Sequence, residues 1–151
     1  MIQVKLYRRP DPPVVEEVIG VIHSLQPEWF TEDVPEDTRR DLLFQDVICA
    51  EVDGRLRSFL VFTSWEGSIS ITLMGTHPDY RGIGLGTQLI HALFVHASEL
   101  GFERVTLLTV PPDVKPQYEH TIKFYKQHGF SVVKRYSEIW GSGAIEMCKN
   151  L

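Results

Sequence analysis

Apolar residues Ile2, Val4 and Leu6 fall at every second position, the period of a half-buried strand, and predict a strand over residues 2–8. Pro10, Pro12 and Pro13 end it. The period then lengthens. Val14, Val15, Val18, Ile19, Ile22 and Leu25 share one broad helical face, with Asp11 as the cap and Pro27 as the close. Residues 27–37 (PEWFTEDVPED) lose the periodicity and predict an irregular acidic and aromatic segment, followed by a short helix over about residues 36–45. Residues 47–53 then read as a strand and 55–65 as its hairpin partner, with Asp53-Gly54 between them as a tight turn. Glu66-Gly67 makes a second turn, and residues 68–76 (SISITLMGT) a third strand with Ile69, Ile71 and Leu73 alternating.

His77-Pro78-Asp79-Tyr80 leaves that strand. A helix over about residues 85–100 follows, with Leu89, Ile90, Leu93, Phe94 and Ala97 on its apolar face and Gly101 at the usual C-terminal glycine position. Residues 103–110 predict a strand ended by Pro111-Pro112, and residues 117–128 a helix finishing at His128-Gly129. SVVKRYSEIW and AIEMCKN read as two strands around Gly141-Ser142-Gly143. No linker, repeat or low-complexity block interrupts this order. It predicts a single α/β (α+β) domain over residues 1–151 with a mixed sheet. The helix between strands 68–76 and 103–110 implies a right-handed parallel crossover.

Composition narrows the class without choosing a reaction. A chain of 151 residues suits one core, and 43% hydrophobic with 23% charged residues is ordinary for a globular protein. The net charge of -5 argues against a general nucleic-acid binder. Cys49 and Cys148 have neither metal-ligand spacing nor a disulfide framework, and each is expected to fill a buried strand position. The N-terminal residues lack the apolar core of a signal peptide, and no apolar run is long enough to cross a membrane. A cytoplasmic setting with no membrane partner is the expectation.

The chemistry concentrates in Arg81-Gly82-Ile83-Gly84-Leu85-Gly86, between a strand and a helix. Alternate glycines leave backbone N–H groups unshielded, and a helix N-terminus adds its dipole, so the stretch suits a phosphate with Arg81 at its mouth. Two familiar phosphate loops fit poorly. A Walker loop ends in Gly-Lys-Ser/Thr, whereas Gly86 is followed by Thr87-Gln88. A dinucleotide fingerprint has different glycine spacing and an acid ending the next strand, whereas Glu103 precedes it.

Arg81-x-x-Gly84-x-Gly86, preceded by Thr76-His77-Pro78-Asp79-Tyr80, resembles the acetyl-CoA loop (Gln/Arg-x-x-Gly-x-Gly/Ala) of the GCN5-related N-acetyltransferase (GNAT) family. A second block, Phe124-Tyr125-Lys126-Gln127-His128-Gly129-Phe130, is similar to the family's Phe/Leu-Tyr-x-x-x-Gly-Phe. The predicted element order is also the family's, although the first 65 residues match in pattern only. The resemblance implies a mixed, mostly antiparallel sheet of about seven strands with four helices, and a splayed parallel pair at the cofactor site.

It also implies an activity: transfer of an acetyl group from acetyl-CoA to an amine by direct attack. The pyrophosphate would lie on the N–H groups of Gly82, Ile83, Gly84, Leu85, Gly86 and Thr87, beside Arg81. Backbone groups of Met74 and Thr76 would meet the pantetheine arm, and the Met74 N–H would polarise the thioester carbonyl. Tyr125 stands where the family carries its general acid; its other reading is a packing aromatic beside Phe124 and Phe130. Two departures stand out. Residues 68–76 contain no carboxylate, so the base stays open among Glu66, Glu51, His77 and a water chain. Tyr118 and Thr121 replace the family's Asn and small residue on the last helix.

The resemblance implies an acceptor pocket built from the first two helices, their connecting loop and the final strands, and residues 28–33 lie in that loop. Glu28, Trp29, Phe30, Glu32 and Asp33 suit a cationic amine through ring and charge contacts, or form a solvated loop anchored by its two aromatics. Trp65 and Trp140 are expected in the core or as pocket walls, and Arg39-Arg40 facing solvent. The amine, a small molecule or a peptide, is not identified. A coenzyme-binding module without turnover and an O- or longer-acyl transferase remain the alternatives, since fold does not set chemistry. A homodimer is expected only by family analogy.

Overall fold

The computed structural model describes all 151 residues. Seven strands and four helices follow in the order β1 (Ile2–Tyr7), α1 (Pro12–Ser24), α2 (Val34–Asp41), β2 (Asp46–Val52), β3 (Arg55–Trp65), β4 (Ser68–Thr76), α3 (Leu85–Glu99), β5 (Arg104–Thr109), α4 (Tyr118–Gln127), β6 (Ser131–Tyr136) and β7 (Ala144–Asn150). The strands form one sheet in the order β1-β2-β3-β4-β5-β7-β6. β1–β2, β2–β3, β5–β7 and β6–β7 pair antiparallel, whereas β4 pairs β5 in parallel, as the crossover helix requires. That parallel ladder runs only from Ile69↔Val105 to Ile71↔Leu107, so Thr72–Thr76 of β4 lie beyond it. No helix is long and apolar enough to cross a membrane.

The chain divides into two compact units. The first comprises Met1–Thr63 and Leu73–Val95. Its core joins Val18, Ile19, Val21, Ile22 and Leu25 of the α1 region to Leu42, Val47, Cys49, Phe59 and Val61. Each such aliphatic side chain contributes roughly 1.5–3 kcal/mol on burial. The tight turn Asp53-Gly54 takes up left-handed φ at both residues (50° and 84°), the primed turn that matches strand twist. The second unit comprises Ser64–Thr72 and His96–Leu151. There β7 lies between β5 and β6, Ile122, Tyr125 and Phe130 are buried around α4, and β6 forms an exposed sheet edge.

Several local expectations shift. The second helix starts at Val34 instead of 36 because Pro35 fits a first turn, where its missing N–H costs nothing. It ends at Asp41, and Phe44, 82% exposed, has no core to extend into. Asp11 occupies the cap position of α1 but caps with its carbonyl, which accepts from Val14 and Val15 N–H, and not with its side chain. The strand expected over 131–140 stops at Tyr136; Trp140 adopts φ 60° in the turn that follows. Trp65 and Trp140 are not core residues: they are 72% and 58% exposed. Cys49 is buried as expected, and burial raises its thiol pKa, but Cys148 is only half-buried. Arg39 and Arg40 lie at the surface as expected, where Arg39 bridges Glu16 of α1 and Glu36 of its own helix.

Candidate functional site

The glycine loop lies in the first unit and is built from β4 outward. The Ser58 hydroxyl donates to the Gly75 carbonyl (3.1 Å) and shares a hydrogen bond with the Thr76 hydroxyl (2.7 Å), which fixes the end of the strand. Gly75 is there because the space is taken: a Cβ would stand 2.8 Å from Leu25 Cδ1 and 3.2 Å from the Phe59 ring. The His77 N–H donates to the Arg57 carbonyl (2.8 Å), and the chain then turns through Pro78–Tyr80. The His77 Nδ1 accepts from the Asp79 N–H (3.2 Å) and the ring packs edge-on against Tyr80. His77 therefore serves the turn.

Arg81 is extended (φ -73°, ψ 155°) and exposed. Gly82 and Gly84 hold φ of 77° and 86°, which side-chain-bearing residues rarely adopt, and no atom lies within 4 Å of where their Cβ would be. That open space is the cradle a phosphate needs. Gln88 N–H donates to the Gly84 carbonyl, so the helix counts from Gly84, and the amides of Leu85 and Gly86 have no intrahelical acceptor. Leu85 is 2% exposed and anchors the first turn, while Ile83 is exposed and Gly86 and Thr87 are half-buried. The loop thus fits the phosphates of a coenzyme: open backbone, a helix N-terminus and one exposed guanidinium. Met74 and Thr76 are half-buried on the same strand end, and the Thr76 side chain is already used by Ser58.

Tyr125 lies in the second unit. It is 6% exposed and packs edge-on against Phe124 and Phe130, with ring centroids 5.4 Å away in both cases. Its carbonyl accepts from His128 and Phe130 N–H, closing the helix at the Gly129 turn. Burial, and secondarily the nearby Tyr118, pushes its phenol pKa up, so the hydroxyl keeps its proton. Tyr118 stands two helical turns earlier on the same face, and burial raises its phenol as well. That seven-residue spacing is readable in the sequence, and pairs Tyr118 with Tyr125.

The candidate bases fare unevenly. Glu51, with its side chain 13% exposed, accepts from the Tyr7 hydroxyl (2.9 Å) and Lys5 Nζ (3.1 Å), so it is committed to the fold. Burial and that hydrogen bond push the Tyr7 phenol up to about 12. Glu66 is exposed in its hairpin turn. In the acceptor segment, Trp29 and Phe30 pack against the first unit's core while Glu28, Glu32 and Asp33 are exposed. The Arg81 guanidinium stands 5.5 Å over the Trp29 ring, so this ring already serves a cation of the chain itself. Sequence reading missed Arg57, which stacks at 4.6 Å on Tyr80; a β-bulge aims it there and leaves no periodic signal.

The chain is similar to known proteins in sequence and in fold. A model of the acetyltransferase (GNAT) family matches residues 16–130. A mycothiol acetyltransferase from Propionibacterium freudenreichii is 32% identical over 84 residues, which are 56% of this chain and 22% of that protein. The chain therefore matches only about a fifth of that curated relative. Ard1 from Thermoplasma volcanium superposes with a TM-score of 0.79 at 20% identity, covering 99% of this chain and 97% of the other. PaiA N-acetyltransferase from Thermoplasma acidophilum, solved in complex with coenzyme A, gives a TM-score of 0.75 at 16% identity with 99% of both chains covered.

Proposed function

Because the chain belongs to the GNAT acetyltransferase family, we propose that it moves an acetyl group from acetyl-CoA to a primary amine, with residues 1–151 acting as one catalytic domain. The observation that carries the reading is the loop of Gly82 and Gly84: left-handed, open where a Cβ would sit, and leading into the N-terminus of α3. Acetyl-CoA supplies an activated thioester. The amides from Gly82 to Thr87 and the Arg81 guanidinium hold its pyrophosphate. The backbone of Met74 and Thr76 holds the pantetheine arm, and the Met74 N–H stabilises negative charge growing on the thioester oxygen.

Tyr125 gives its proton to the departing sulfur. Burial keeps the phenol protonated, so its proton is in place when the thiolate leaves, and it also makes the phenol a weaker acid than the thiol, whose pKa is about 8.5. The attacking amine loses its proton to Glu66 or to water, since Glu51 and His77 are already engaged in the fold. The exposed acidic residues Glu28, Glu32 and Asp33 support an amine-bearing acceptor, small molecule or peptide.

A second reading is a coenzyme-binding module without turnover, favoured by the lack of any carboxylate in β4. A panel of polyamines, aminoglycosides, amino acids and peptides, assayed with acetyl-CoA for free thiol release, separates the two. Thiol release with one class of amine is expected. Tight acetyl-CoA binding without release from any amine would leave the module reading.

A further inference from the structure

Arginines in this chain usually have carboxylate partners: Arg9, Arg39, Arg40, Arg55 and Arg135 each lie within 4.0 Å of one. Arg57 and Arg81 have aromatic faces instead, Tyr80 at 4.6 Å and Trp29 at 5.5 Å from the guanidinium carbon. Tyr80 and Arg81 are neighbours in sequence, so both guanidiniums attach to the segment that opens the glycine loop. Arg57 is also tied there by its backbone, through the carbonyl that accepts from His77.

Its placement is built. Ala50 pairs with Ser58 and Glu51 with Leu56, so Arg57 is the extra residue of a β-bulge, a device that re-aims a side chain. The residue is half-buried, and its Nε is buried with no hydrogen-bond partner. Stacking on Tyr80 satisfies one face of the guanidinium but none of its in-plane N–H donors. A buried Nε–H without an acceptor is costly, and an anion bound beside it removes that cost.

Resting on the reading of acetyl-CoA as donor, we propose that Arg57 is a second phosphate-binding residue of the donor site, acting beside Arg81. The planar fork matches a phosphate in two hydrogen bonds, and the donor offers two candidates, the pyrophosphate and the 3′-phosphate.

Calorimetric titration of the full chain with coenzyme A and with 3′-dephospho-coenzyme A tests this. Arg57→Gln should weaken coenzyme A binding at least about tenfold, the size of one charge-assisted contact. If the deficit disappears with the dephospho form, the partner is the 3′-phosphate; if it persists, the partner is the pyrophosphate. Arg57→Met, which keeps the buried stem, carries the same test should the Gln variant fold poorly, with melting of the ligand-free proteins as the control. Wild-type affinity in either folded variant overturns the inference and leaves Arg57 a packing residue or a contact to the acceptor. Failure of the wild type to bind coenzyme A would instead overturn the donor reading itself.

Discussion

Replacing Tyr125 by Phe separates the two roles that its position allows. The ring makes both edge-on contacts, to Phe124 and Phe130 at 5.4 Å, and these survive the substitution. Only the hydroxyl is lost. A neutral hydrogen bond contributes about 0.5–1.5 kcal/mol, so stability should fall by no more than about 1.5 kcal/mol. In a chain of 151 residues that is a drop of about 3–6 °C in Tm. A missing proton donor should lower turnover by about 10²–10⁴, or about 3–5 kcal/mol in the barrier. The assay pairs steady-state thiol release with calorimetric binding of coenzyme A, which should not change. A pH arm adds an independent check. Burial raises this phenol, so above about pH 10 the folded state holds a proton that the unfolded chain releases. Its stabilisation is therefore complete below about pH 10 and is lost as pH rises beyond it. The Phe variant should lose less stability than the wild type across that window. Unchanged turnover would refute the acid role and leave Tyr125 as packing. A stability loss well beyond 1.5 kcal/mol, roughly twice that, would show that the hydroxyl is mainly structural.

Gly84→Glu should abolish coenzyme A binding by bulk and like charge, and unchanged affinity would sink the phosphate-loop assignment. Gly84→Ala has open space around its Cβ, so its cost is the left-handed φ of 86° alone, about 1–2 kcal/mol in chemical denaturation. Gly75→Ala meets Leu25 Cδ1 at 2.8 Å and should cost about 1–3 kcal/mol by overpacking. A Leu25→Ala background should reduce that cost, and additive effects in the double-mutant cycle would contradict the contact. Glu51→Gln should leave the acid limb of the kcat/KM profile in place, because Glu51 is held by Tyr7 and Lys5; disappearance of that limb would make it the base after all.

Much of the fold is legible because its signals are local. The bounds of β3 and β4 match those expected from the turns Asp53-Gly54 and Glu66-Gly67 to the residue. Both depend on side-chain period and on φ preferences of adjacent residues. The loop from Arg81 to Gly86 and the block around Tyr125 are equally local, so both stretches of the proposed donor site stand out in the sequence. The acceptor half does not, since no pattern in residues 28–33 distinguishes a ring that receives a ligand from one that receives Arg81.

The linear chain by itself determined the order of elements, the parallel crossover into β5 and the glycine loop that leads into α3, because each follows from contacts within a few residues or from chirality. Tertiary structure alone decided that Trp65 and Trp140 are exposed, that Glu51 is occupied by Tyr7 and Lys5, and that the bulge at Arg57 sets its guanidinium on Tyr80. The physical reason is the same in each case: burial, pairing and strand register are set by residues distant in sequence, whose arrival no local period records.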